Sequence, residues 1–224
     1  KIKIMTIIGA RPQIIKSATL SCVISEKFSS EVQEIILHTG QHYNKNMSGG
    51  LLKGIHISSP KYNLDINNVS HGEMTGKMIL EIEKVCQFEK PDWMIVYGDT
   101  NSTLAAAIVA SKLHIKIAHI EAGLRSYKMR MPEEINRLVT DAIADYLLTP
   151  SPDGDENLRN EGVAEDRIKR VGNVMIDSLF NNLERAKASS IHSDLGIEKG
   201  NYGVLTLHRP SNVDDKDAFI GILE

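Results

Sequence analysis

Three acidic sites in this sequence stand where chemistry could be done. Asp99 follows the apolar run Trp93–Tyr97, Glu121 follows Ile117–Ile120, and Glu133-Glu134 follow Pro132 at the start of a helical pattern. Acid–base catalysis needs carboxylates in unlike surroundings, one to accept a proton and another to give one. In open α/β sheets, ligands bind beyond the carboxyl ends of the strands. Acids at successive strand ends are therefore expected to face one crevice. A cationic site is expected beside them. Gly9-Ala10-Arg11-Pro12-Gln13 with Lys16 lies at a strand-to-helix turn, where N–H groups and the helix dipole favour an anion. Arg11 can fork two phosphate oxygens while Lys16, one turn on, adds a point charge.

Each residue also has a structural reading. Asp99 could cap the helix that follows, and Glu133 and Glu134 could simply favour a helix N-terminus. Glu121 sits among apolar neighbours, where an unpaired Glu is rare; Arg125 is a candidate partner. Arg11 and Lys16 could be surface charges on a first helix. His208, closing the apolar run Gly203–Leu207, is either a loop histidine or a site residue. His38 and His42 are four apart on a strand and loop rather than a helix, so no metal site is expected there.

The elements that must position these residues alternate in type. Strands are expected at Lys1–Ile8, Ile35–His38, Tyr62–Leu64, Trp93–Tyr97, Ile117–Ile120, Tyr146–Thr149 and Ile168–Val171, because the runs are short, apolar and β-rich. Helices are expected from Pro12 to about Phe28, near Asn46–Lys53, after the capping box Ser70-His71-Gly72-Glu73, over Ser102–Leu113, after Pro132, over Asp153–Glu161 and over Val174–Ala188. Ser102–Leu113 is small or apolar nearly all round, which suits a buried helix. After Pro132, the expected buried stripe is Ile135, Leu138, Val139, Ala142 and Ile143, leaving Glu133, Arg137 and Thr140 to line a cleft. The alternation predicts α/β architecture, a doubly wound parallel sheet. Residues 1–188 form the expected Rossmann-like domain. Residues 189–224 are expected to be a linker, from Ser189-Ser190, and the start of a second such domain, with a strand at Tyr202–Leu207 and a helix from about Asp215 that runs to Glu224.

Composition narrows the functional class. Of 224 residues, 42% are hydrophobic and 25% charged, with a net charge of −3, so nothing points to nucleic acid or a membrane surface as partner. No apolar run is long enough to span a membrane, and the strand pattern begins at the first residue, so no leader is expected. Cys22 and Cys86 belong to no metal pattern and read as reduced packing residues of a cytoplasmic protein. No metal and no GxGxxG dinucleotide fingerprint is found.

GARPQIIK, HTGQH, KPDWMIVYGDTNSTLAAAIVASK, AHIEAGLRS, MPEEINR, VGNVMIDSL and TLHRPSN run in order along the chain. Together they resemble the non-hydrolysing UDP-N-acetylglucosamine 2-epimerase family. GARPQ, HTGQH, HGEMTG and SYKMRMPEE resemble especially the branch acting on UDP-2,3-diacetamido-2,3-dideoxy-glucuronate, whereas members acting on plain UDP-N-acetylglucosamine more often read GTRPE. The resemblance implies a GT-B-like fold of two Rossmann-like halves, a homodimer, and no metal or nicotinamide. It implies inversion of the acetamido-bearing carbon by elimination and re-addition of UDP. Asp99, Glu121, Glu133 and His208 match the catalytic set, and Arg11, Lys16, Asp99, Glu121, Arg137 and His208 the substrate-binding set. Some relatives are activated by a second substrate molecule, which corresponds here to Gln41 and His42. Val69-Ser70 stand where those relatives carry an arginine. Two other readings predict different behaviour: a GT-B glycosyltransferase would need an acceptor sugar, and a non-catalytic nucleotide-sugar-binding protein would lack one of the catalytic set.

Overall fold

The computed structural model describes residues 1–41, 58–207 and 210–224. The helix expected near Asn46–Lys53, and the candidates His42 and His208, lie outside the described residues.

The described chain falls into two compact units, Lys1–Asn181 and Asn182–Glu224. The first is a parallel sheet flanked by helices. Its strands are β1 (Ile2–Ile8), β2 (Val32–His38), β3 (Tyr62–Asn63), β4 (Trp93–Tyr97), β5 (Lys116–Ile120), β6 (Tyr146–Thr149) and β7 (Ile168–Arg170). The order across the sheet is β3-β2-β1-β4-β5-β6-β7, and every pairing is parallel. Met5–Ile8 in β1 and Met94–Tyr97 in β4 are buried without alternation, as strands covered on both faces must be.

The sheet winds outward in both directions from β1 and β4. These strands are neighbours, with Ile4 opposite Trp93 and Thr6 opposite Ile95, although a long stretch of chain separates them. At such a switch point the connections leave in opposite directions and a crevice opens at the carboxyl ends. Gly9 closes β1 there. A Cβ at Gly9 would collide with the Thr39 and Ser102 hydroxyls, which are themselves hydrogen-bonded at 2.8 Å. The missing side chain lets the first loop lie against the ends of two neighbouring segments.

Helix α1 (Arg11–Lys27) leaves this loop, and α2 (His71–Glu89) buries Met74, Met78, Ile82 and Cys86 of the face that its spacing predicts, Val85 on the same face being only partly buried. Helix α3 (Asn101–Lys112) is nearly all buried, with Ala105, Ala106, Ala107 and Ala110 fully inaccessible. Its small side chains suit an internal position. Helix α4 (Pro132–Ile143) overturns the expected stripe. Ile135 and Val139 are 44% and 37% exposed and Ala142 is exposed, whereas Glu134, Asn136, Thr140 and Asp141 are buried. The reason is that Glu134, Asn136 and Asp141 turn inward to hydrogen-bond the loops after β4 and β5, and those bonds outweigh the burial of three apolar side chains; Thr140 is fully buried and does not line a cleft. Helices α5 (Pro152–Asn160) and α6 (Val174–Lys187) complete the unit, α6 continuing into the second.

The second unit is helical where it is regular: α7 (Ile191–Leu195), α8 (Pro210–Val213) and α9 (Lys216–Leu223). Asp215 caps α9, accepting from the Ala218 N–H at 2.8 Å. The strand expected at Tyr202–Leu207 does not form, and Val204 and Leu205 are largely exposed. A strand exists through its ladder, and no described segment pairs with this one.

Among the described residues, no helix is long and apolar enough to cross a membrane, and no cluster of His, Cys, Asp and Glu could hold a metal ion.

Candidate active site

The carboxyl ends of β1, β4 and β5 bring Lys16, Asp99, Glu121 and Arg137 into two ion pairs. Lys16 Nζ pairs with the Glu121 carboxylate, and Arg137 Nη2 pairs with Asp99 Oδ2. Lys16 is buried. A Cβ at Gly98 would lie 3.4 Å from Lys16 Nζ, so the ammonium sits against the turn that carries Asp99. Two acids and two cations from four separate segments thus share one end of the sheet.

Glu121 stands on unusual backbone. Its φ of 73° is left-handed, a conformation that costs an L-residue other than Gly, Asn or Asp roughly 1–2 kcal/mol. The turn is over-determined. Glu121 and Ala122 N–H both donate to the Leu148 carbonyl, at 3.0 and 3.2 Å, and Gly123 follows with φ 80°. Strain held in place by surrounding hydrogen bonds is common where a side chain must be aimed at a ligand. Arg125, the partner expected for Glu121, points elsewhere. It donates to Asp141 at 2.8 Å and forks Glu161 at 2.7 and 2.6 Å. The left-handed turn carries the Glu121 side chain toward α1 and Lys16, leaving Arg125 on the side of α4 and α5.

Asp99 does not cap α3. Thr100 is the cap, its Oγ1 accepting from the Thr103 N–H at 3.3 Å. Asp99 is instead held from α4: Asn136 Nδ2 donates to its backbone carbonyl at 2.8 Å, and Arg137 grips its side chain. Arg137 also donates to Glu134 at 2.8 Å, so this expected substrate ligand is already engaged by two carboxylates.

The geometry separates Glu133 from Glu134. Glu134 is buried and accepts from Ser126 N–H at 3.0 Å, Ser126 Oγ at 2.9 Å and Tyr127 N–H at 2.9 Å. Burial alone would raise its carboxyl. The Ser126 and Tyr127 donors and Arg137 outweigh that and hold it down at about 2. Such a group is an anchor for the loop before α4 rather than a proton carrier. Glu133 is exposed at the first turn of α4, one turn ahead of Arg137 and free of that role.

Arg11 is exposed at the first position of α1, where Pro12 follows. Gln13, behind it, is buried and braces the loop. Its Oε1 accepts from Gly9 N–H at 2.8 Å and Ala10 N–H at 3.1 Å, and its Nε2 donates to the Tyr97 carbonyl at 2.9 Å. Gln41 Oε1 accepts from the Ser102 N–H at 3.1 Å and hydroxyl at 2.8 Å, so this candidate for an activator site serves the start of α3.

Two residues that sequence reasoning did not single out lie directly beneath the site. His119 and Asp141 are buried and hydrogen-bonded at 2.6 Å. Burial pushes the Asp141 carboxyl up, but His119 and Arg125 outweigh it and hold it below the usual range. The signal for His119 was its place inside an apolar strand; Asp141 was hidden by the wrong assignment of the α4 faces.

The family profile described as UDP-N-acetylglucosamine 2-epimerase matches residues 26–224. The chain is 49% identical over 223 residues to a UDP-N-acetylglucosamine 2-epimerase homolog of Methanococcus maripaludis, covering 99% of this chain and 61% of that protein. It is 49% identical over 225 residues to UDP-2,3-diacetamido-2,3-dideoxy-D-glucuronate 2-epimerase of Pseudomonas aeruginosa, covering 99% and 62%. Among solved structures, Methanocaldococcus jannaschii UDP-GlcNAc 2-epimerase in complex with UDP-GlcNAc and UDP superposes with a TM-score of 0.89 at 43% identity, covering 99% of this chain and 61% of that one. The chain thus spans about three fifths of the length of the relatives it matches.

Proposed function

Because the chain belongs to the UDP-N-acetylglucosamine 2-epimerase family, we propose that the protein inverts the acetamido-bearing carbon of a UDP-amino sugar, UDP-N-acetylglucosamine or its 2,3-diacetamido uronate counterpart. The observation that carries this reading is the pair of differently held carboxylates at adjacent strand ends. Glu121 rests on strained backbone against Lys16, and Asp99 is gripped by Arg137.

The proton on the acetamido-bearing carbon is poorly acidic, and removing it is easier when the diphosphate leaves from the neighbouring carbon. An enzyme carboxylate takes the proton, the bond from the anomeric carbon to the diphosphate oxygen breaks, and a double bond forms between the two carbons. UDP carries away the bonding pair. Re-addition reverses these steps, except that a carboxylic acid on the opposite face returns the proton. Asp99, Glu121 and Glu133 are the candidate proton carriers, since Glu134 is committed to its loop. Arg11 and Lys16 are assigned to the departing diphosphate, whose developing charge needs pre-placed cations, and His208 is assigned to the same site. Residues 189–224 are assigned to the beginning of the second, UDP-binding domain.

Two copies are proposed to pair through the outward apolar side of α4. Ile135 and Val139 lie one turn apart there, and Ile135 shares a groove with Ile79 of α2. The cytoplasm is the assigned location, with Cys22 and Cys86 as thiols. The test is incubation of the full-length protein with each UDP-sugar, resolving epimers by proton NMR. Sugar transfer to an acceptor, or binding without turnover, overturns the reading.

A further inference from the structure

His119 is fully inaccessible in the middle of β5, where an apolar residue would complete the strand. Its ring instead makes two short hydrogen bonds. Nε2 donates to the Gly98 carbonyl at 2.7 Å, and Nδ1 faces Asp141 Oδ1 at 2.6 Å. The other Asp141 oxygen accepts from the Gly123 N–H at 3.0 Å and from Arg125 at 2.8 Å. Both ring nitrogens thus face an oxygen acceptor, one on each side of the strand.

The partners of this pair fall on either side of the candidate catalytic residues. Gly98 immediately precedes Asp99 and has a φ of 62°, and Gly123 lies two residues beyond Glu121 with a φ of 80°. Both turns pass through glycine, whose backbone is free to adopt many conformations, so external bonds are what hold them. One histidine reaches the first turn directly and the second through Asp141. A buried polar pair gives little stability over a well-packed apolar replacement, so its presence at this place calls for another reason.

We propose that His119, anchored by Asp141, is a positioning residue that fixes the separation between the Asp99 turn and the Glu121 turn. It touches no substrate. It acts by holding two proton-carrying groups, one strand apart, at the spacing that the reaction requires. The assignment rests on the epimerase reading only in naming Asp99 and Glu121 as the groups positioned.

The experiment uses the full-length protein and two variants that each keep half of the bridge. His119→Asn retains a donor near the Nδ1 position, and His119→Gln one near Nε2. Both are expected to lower kcat by about 100-fold with KM within about threefold of the parent, since small misplacements of catalytic groups cost rate more than binding. Hydrogen exchange in the segments 98–101 and 121–125 is expected to quicken by about tenfold or more, while β1 and β2 keep the parent rates. Unchanged kcat in a folded variant, or exchange that quickens uniformly, overturns the proposal. If the parent does not epimerise any UDP-sugar, the functional reading fails, and the exchange pattern still decides whether His119 couples the two turns. If neither variant folds, Asp141→Asn takes the same two measurements, and loss of folding in all three overturns the proposal in favour of a plain core role.

Discussion

Lys16 and Glu121 are ion-paired at the carboxyl ends of the sheet, one from the helix after β1 and the other from the turn after β5. A diphosphate entering this site would meet a cation already satisfied by a carboxylate. On the proposed function, binding would exchange partners: phosphate oxygens would take Lys16, and Glu121 would be released toward the sugar. That exchange frames the first two predictions.

Glu121→Gln keeps the size of the side chain and an oxygen that can accept from Lys16, but removes the carboxylate. Turnover of UDP-sugar is expected to fall by at least ~100-fold, as for loss of a general acid or base, with the circular dichroism melt close to the parent's. Activity within a few-fold of the parent would return Glu121 to a structural partner for Lys16.

The left-handed backbone at Glu121 gives a second expectation that needs no substrate. Glu121→Gly and Glu121→Ala both delete the ion pair and differ only by a Cβ at φ 73°. The glycine variant should be the more stable by about 1 kcal/mol, the reverse of the usual order inside a helix or strand. Urea unfolding of the two proteins checks it, and an alanine variant at least as stable as the glycine one would refute a strained turn.

Glu134 sets an acid limit on the loop before α4. Its carboxyl is lowered from the usual 4.5 to about 2, so the folded state holds this proton less tightly than the unfolded chain. The stabilisation is complete above about pH 4.5 and is lost as the pH falls through about 2. Glu134→Gln should be less stable than the parent at neutral pH, and the gap should narrow between pH 4.5 and 2. Urea midpoints across that range are the measurement, and a constant gap would contradict the assigned anchor.

If the acetamido-bearing carbon is inverted during loss and return of UDP, the proton delivered on the new face passes through a carboxyl group that exchanges with water. Product made by the full-length protein in heavy water should carry deuterium at that carbon. A hydride route would return the original hydrogen. Mass or NMR analysis distinguishes the two, and unlabelled product after many turnovers excludes elimination and re-addition.

The outward side of α4 predicts an assembly. Replacing Ile135 and Val139 together by Glu puts two charges on the proposed contact without touching Glu134, Asn136 or Asp141, which face inward. Sedimentation should report half the mass of the parent. A parent that is already monomeric, or a variant that remains paired, removes this surface from the proposal.

The central strands were legible because each is a short, largely apolar run (Tyr202–Leu207 reads alike but has no described neighbour to pair with and forms no strand), and a strand covered on both faces has no other pattern to show. The positions of Asp99 and Glu121 at strand ends followed from that. Their partners did not. Lys16 suggested a phosphate ligand and Arg125 a mate for Glu121, because nothing in the linear order reveals that Glu121 turns left-handed and swings toward α1. Helix α4 misled for a related reason. Apolar spacing indicates which side avoids water, but here the inward side is bound by hydrogen bonds to the two loops after β4 and β5, and the apolar side is left outward. Asp141, and with it the pairing to His119, could be recognised only once that inversion was known.

The neighbouring placement of β1 and β4 has a bearing on how the protein comes into being. Lys16 is made early in synthesis, whereas Glu121 and Arg137 follow only after the chain has passed Lys90-Pro91. Until β4 lies beside β1, the cations at the start of α1 lack the acids that come later in the chain, and the edge of β1 that β4 covers is open. The site is therefore a product of closure across the middle of the sheet and belongs to neither half. Two pieces divided near Lys90, where the backbone is already left-handed with φ 49°, would each carry part of the machinery, and only their reunion would assemble the whole.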